Sequence, residues 1–248
     1  MPNVVDVLLV VAFAVVLPLW THFVSWPRHV RAVDAGDTRA RSRIYVRTLI
    51  EEWAAVAAVV VLWLVERRSF TGLWLAPPTG WRAWVGFALP LVYIALVVLQ
   101  GRAIGARPAT LTKLRAKLQP LRALIPHTRD EYRLFVPLAV TAGICEEFLF
   151  RGYLVWVLAF LMGVLPGAAL SMVAFGLGHG YQGGKFGFRA AAVGVVLGVL
   201  ALVTRSLWPG ILLHAAIDLG SGWITYAAMS RGAAPGGEPA KAPNGVAA

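Results

Sequence analysis

Cysteine and charge are what this sequence has least of. Cys145 is its only thiol, so no disulfide can close within the chain. Only 14% of the 248 residues are charged, where a soluble domain carries roughly a quarter. Acidic side chains are the scarcer sign, 12 against 23 Lys and Arg. An early basic cluster and a small-x-small cleavage site are both lacking in "MPNVVDVLLVVAF", where Asp6 is the first charge. That segment reads as a retained first span rather than a cleaved signal peptide.

What is present in excess is apolar surface, 58% of residues, with ten tryptophans. Seven apolar runs, at about 4–25, 44–65, 82–100, 133–162, 165–181, 187–204 and 209–229, approach the roughly 20 residues of a spanning helix. The expected fold is all-α: a polytopic integral membrane protein of about seven transmembrane helices. The net charge of +11 raises nucleic acid as a partner. Its distribution argues for the lipid bilayer instead, because Lys and Arg cluster between the apolar runs. An N-out, C-in arrangement puts 17 of them on the cytoplasmic side and four outside. With a composition heavy in Ala, Val and Arg that reads as bacterial, the expected location is the inner (cytoplasmic) membrane.

"TLTKLRAKLQPLRALI" (110–125) repeats Leu111, Leu114, Leu118 and Leu121 among basic residues. The spacing predicts a basic amphipathic helix lying in the interface on anionic headgroups; a solvated connector is the alternative. The chain divides into N-terminal transmembrane helices with this basic segment (1–130), a core (131–229) and a Gly-, Pro- and Ala-rich tail (230–248) expected to be disordered.

Ionised groups are expensive in hydrocarbon, so "ICEEFLFRGY" (144–153) stands out inside its apolar run. At about 100° per residue, Glu147 and Arg151 share a helix face in the favourable order, and Glu146 points elsewhere. One carboxylate is thereby neutralised and the other left available as a general base. "YVRTLIEEW" (45–53) offers a second pair of glutamates, with Arg47 four before Glu51. Near a helix start, that pair reads as structural. Of five histidines, His29 and His127 fall in basic stretches and read as solvated, and His22 as an interface residue. His179 and His214 lie within the last apolar runs, and Asp218 stands four after His214, placed to orient its imidazole.

Taken together these motifs resemble the CAAX-protease and bacteriocin-processing membrane proteins, the CPBP or Abi family, which includes the eukaryotic prenyl-protein endopeptidase. "EEFLFR" (146–151) fits Glu-Glu-x-x-x-Arg, "FGLGH" (175–179) fits Phe-x-x-x-His, and "HAAID" (214–218) fits His-x-x-x-Asn/Asp. The likeness covers about 131–229. It implies an intramembrane endopeptidase of the glutamate type acting on a peptide or protein substrate, without a cofactor. Carried over by position, Glu146 activates water, His179 helps hold it, and His214 with Asp218 stabilises the oxyanion. Glu147, Arg151 and Phe175 fall on supporting positions. The prenyl-protease members carry asparagine where this chain has Asp218. An ionised aspartate cannot donate to an oxyanion, so Asp218 is expected either to be protonated or to act on His214.

Three alternatives accompany this reading. Glu146, His179 and His214 could form a two-histidine, one-carboxylate site for a divalent metal such as zinc. Cys145 could serve as a nucleophile. The chain could instead be a non-catalytic immunity or scaffold protein of the membrane.

Overall fold

A computed structural model describes residues 1–105 and 108–230; the tail expected to be disordered lies almost wholly outside the described residues. The architecture is all-helical: α1 (Val4–Asp34), α2 (Ala40–Val65), α3 (Trp81–Gly105), the short α4 (Pro108–Leu118), α5 (129–162), α6 (Val164–Gly178), α7 (Gly184–Thr204) and α8 (Trp208–Ser230).

Four of these helices are long and apolar enough to cross a membrane: α1, α2, α3 (Trp81–Gly101) and α7. The expected runs at 133–162, 165–181 and 209–229 do form helices. They differ from the four in carrying the polar residues of the site or, for α6, in being only 15 residues long, short of the roughly 20 that a crossing needs. The apolar side chains that the long helices leave exposed, such as Leu91, Val92 and Leu99 on α3, form a surface suited to acyl chains.

The start of α1 is tied down twice. Asn3 and Asp6 form a capping box. Asp6 is fully buried, and both its carboxylate oxygens accept from Arg68, at 2.7 and 2.8 Å, while Tyr153 on α5 donates its hydroxyl at 2.8 Å. The Arg68 guanidinium lies over the rings of Trp63 and Trp156. This knot joins α1, the α2–α3 connection and α5 beside a core of Val59, Trp63, Leu73, Phe148 and Val157. Removing one partner of a buried pair strands the other charge, a loss of about 3–5 kcal/mol. Asp6→Ala is therefore expected to lower the unfolding midpoint of the detergent-solubilised protein markedly. A midpoint equal to wild type would show the knot to be dispensable.

The apolar face of the basic segment 110–125 is covered by another helix. Leu111, Leu118 and Ile125 are buried against Ala228 and Met229 of α8, so the leucine stripe faces protein. Arg115 donates to the carbonyls of Ala228 (3.2 Å) and Met229 (2.6 Å), satisfying acceptors that the end of α8 leaves over. Helical spacing revealed the stripe but not what it meets. His29, expected to be solvated, is buried on α1, with Nε2 2.8 Å from the Ala123 carbonyl just beyond this segment.

α5 begins with a second capping box, Thr128 and Glu131, and changes register at the glutamates: Glu147–Leu154 winds as a π-helix. Such widened turns leave carbonyls and side chains out of α-helical phase and recur at functional sites. Glu146 is the last residue before the change and Glu147 the first within it.

Candidate active site

α5 and α8 meet where glycine removes the obstacle. A Cβ on Gly143 would stand 2.9 Å from the backbone nitrogen and Cβ of Ala215. That approach brings His214, next to Ala215, against the paired glutamates. α6 ends at Gly178 and leaves His179 as its C-terminal cap, so the third polar residue reaches the site from a helix end. Convergence therefore needs no residue buried at mid-helix on α6.

The two glutamates have separate environments. Glu147 is fully buried, and its Oε1 accepts from Arg151 Nη1 and lies 2.9 Å from His214 Nδ1 as well. Arg151 spends Nη2 on the Gly194 carbonyl of α7 at 2.9 Å. The expected pairing of Arg151 with Glu147 is what the structure has. Glu146 faces the other way. Its Oε2 has no hydrogen-bond partner and stands 3.8 Å from His214 Nε2 and 3.9 Å from His179 Nε2.

Both imidazoles are held from behind. His179 Nδ1 lies 2.9 Å from the Phe175 carbonyl. A carbonyl only accepts, so Nδ1 carries the hydrogen, and a neutral His179 presents a bare Nε2 to Glu146. His214 Nδ1 likewise donates to the Glu147 carboxylate. Phe175 packs at the centre. The Arg151 guanidinium lies 4.2 Å from its ring centroid, and the rings of His179 and His214 lie 4.4 and 5.9 Å from it. Gly194 admits this ring, since a Cβ there would come within 2.6 Å of it. Phe175 thus separates the buried ion pair from the open side of the site.

The open side is a cavity of about 490 Å³ bordered by Glu146, His179, His214 and Asp218. Asp218 is not hydrogen-bonded to His214. Its Oδ2 is 3.7 Å from Nε2, on the cavity side. The orienting partner expected at Asp218 is therefore Glu147, which holds the opposite nitrogen. The sequence spacing placed Asp218 one turn from His214 correctly, but nothing local reveals that a residue 67 positions away takes Nδ1.

Residues 129–220 match the family model described as Rce1-like, type II CAAX prenyl endopeptidase. Over that stretch the chain is similar to the CPBP family. No curated protein and no solved structure matches it. All three polar motifs, with Glu146, Glu147, Arg151, Phe175, His179, His214 and Asp218, fall inside the matched stretch.

One carboxylate outside the matched stretch also borders the cavity. Glu52 of α2 lines it, and its Oε2 is buried without a hydrogen-bond partner. The structural pairing expected in "YVRTLIEEW" holds for Glu51: Arg47 Nε meets it at 2.6 Å on the exposed surface. Glu52 is the neighbour that turns inward. The available signal was that two adjacent residues on a helix point about 100° apart, so one exposed glutamate implies another face for the next.

Cys145 is fully buried, belongs to none of the cavity walls and acts as a small packing residue. The metal alternative draws on the same three groups: Glu146 Oε2 stands 3.8 Å from His214 Nε2 and 3.9 Å from His179 Nε2, and chelation of the purified protein tests it. Among the described residues no group of three or more His, Cys, Asp or Glu is arranged to hold a metal ion.

Proposed function

We propose that this chain is an intramembrane endopeptidase in which Glu146 activates water for attack on a peptide bond. The observation that carries this reading is the free Oε2 of Glu146, turned toward two imidazole nitrogens at the edge of the cavity. Water bound there gives one hydrogen to Glu146 and the other to the bare Nε2 of neutral His179. Glu146 takes the first proton as the oxygen attacks the scissile carbonyl. A proton on His214 Nε2, with Nδ1 anchored on Glu147, donates to the developing oxyanion. Glu146 then passes its proton to the leaving amine, so one water is consumed and the products are an acid and an amine. Phe175 and the leucines of 114–124 give the cavity an apolar lining, which strengthens each of these interactions.

No cofactor is required by this mechanism. A metal-dependent peptidase would lose activity on chelation and regain it with zinc; full activity in excess chelator is the expected result. The substrate is a peptide or protein segment, which enters the cavity from the cytoplasmic side or laterally from the bilayer. In the same reading α5 and α8 cross as well, and α6 together with the turn Gly180–Gln182 that extends it supplies the seventh crossing of a bacterial inner membrane, N-out and C-in, supported by the asymmetry of Lys and Arg. Residues 131–229 form the peptidase core.

Asp218 contributes a cavity wall rather than the orientation of His214. Asp218→Asn keeps its size and replaces an acceptor oxygen with an amide donor. The expected activity toward a cleaved peptide lies within about tenfold of wild type, or above it, since one neutral hydrogen bond is worth about 0.5–1.5 kcal/mol. A collapse of more than a hundredfold in kcat, with the protein still folded, would mean that a carboxylate is needed at that position.

A further inference from the structure

Away from the cavity, α1 and α2 border a groove of about 1030 Å³ whose lining is both basic and apolar. Its cations are Arg28 of α1, Arg39 at the N-terminal cap of α2, and Arg43 and Arg47 within α2, the last three at a spacing of four. Interleaved with them are exposed apolar side chains, Trp20, Val46 and Ile50 at 46%, 43% and 60% exposure. Charge is left over. Arg43 is paired with Asp37, and Arg47 with Glu51. Arg28 and Arg39 have no ion-pair partner among the described residues, and the Arg28 guanidinium lies over the Trp20 ring at 5.9 Å. The floor is fixed: His29 Nε2 sits 2.8 Å from the Ala123 carbonyl, and Ser25 accepts from Arg47 at 3.1 Å.

We propose that this groove binds an anionic glycerophospholipid. Arg28 and Arg39 hold its phosphate, and its acyl chains run along Trp20, Val46 and Ile50. Three features select this occupant. Both walls are helices long and apolar enough to cross a membrane, so lipid is what their exposed faces meet. The surplus of two cations complements a phosphate. A zwitterionic headgroup would bring an ammonium into the same arginines, so a headgroup such as glycerol is favoured over choline. Basic pockets between membrane helices bind anionic headgroups on these grounds. The groove lies on α1 and α2, outside the matched residues 129–220, and the proposal stands whether or not the chain is a peptidase.

The test uses the purified full chain in detergent, titrated with phosphatidylglycerol, phosphatidylcholine or inorganic phosphate. Native mass spectrometry counts retained lipid, and the thermal unfolding midpoint is read alongside. Phosphatidylglycerol is expected to be retained and to raise the midpoint, with the other two doing neither. Arg28→Gln/Arg39→Gln should weaken phosphatidylglycerol binding about twenty-five-fold, at about fivefold per arginine, with an unchanged midpoint in phosphatidylcholine. Equal retention of phosphatidylcholine, an equal shift with inorganic phosphate, or undiminished phosphatidylglycerol binding by the double variant overturns the proposal. If the double variant melts early, a photoreactive phosphatidylglycerol on the wild-type protein decides. Labels within 20–50 support the site, and labels only elsewhere refute it.

Discussion

Glu146→Gln should fold, insert and bind substrate like the wild-type chain and cleave it at least a hundredfold more slowly, with a loss of up to about ten-thousandfold. Glutamine has nearly the same shape but cannot take a proton from water. It replaces a side chain that donates and accepts nothing from the protein through Oε2, so the fold loses no bond at that atom. The measurement is cleavage of a peptide library by purified wild type beside the variant, with kcat and KM separated on a peptide found in the library. A base acting only in the transition state moves kcat and leaves KM near its starting value. Activity retained in full by Glu146→Gln would remove this glutamate from the chemistry. A membrane phenotype that survives the substitution would point to a scaffold or immunity role. In either case the lipid groove on α1 and α2 is untouched.

The parts of this site that sequence reveals are those joined along one helix. Glu147 and Arg151 are four apart, and their pairing follows from helical geometry alone; it persists although 147–154 winds as a π-helix, which no residue in "EFLFRGYL" announces. Sequence order of the three polar motifs, and their likeness to the CPBP family, marked Glu146, His179 and His214 as partners. What hid were the individual hydrogen-bond partners across helices and the further carboxylate. The partner of His214 Nδ1 lies on α5, the carbonyl that anchors Arg151 belongs to Gly194 on α7, and Glu52 arrives from α2. The first depends on an approach that small residues permit and hydropathy does not register, at Gly143 against Ala215. The leucine stripe of 111–121 shows the same limit: amphipathic spacing says that a face is covered, and only the packing says that α8, rather than a headgroup layer, covers it.

Glu147→Gln is expected to do more damage to the fold than Glu146→Gln, though both replace a carboxylate by an amide. Glu147 is fully buried, with one oxygen serving both Arg151 and His214. Its neutral replacement leaves the Arg151 guanidinium, 2% exposed, without a counter-charge, at a cost of about 3–5 kcal/mol. For a chain of this length that is a fall of about 10 °C in unfolding midpoint. Activity should fall as well, because His214 loses the carboxylate that fixes its Nδ1 hydrogen and supports a charge on its ring. The two losses can be separated. Adding Arg151→Met to Glu147→Gln removes the stranded cation and fills its space with an apolar chain, and replacing both members of a buried pair is often neutral for stability. The double variant is expected to recover most of the midpoint and little of the activity. Recovery of both would reduce Glu147 to a counter-ion for Arg151. Recovery of the fold alone means that this carboxylate acts on the reaction through the imidazole it holds.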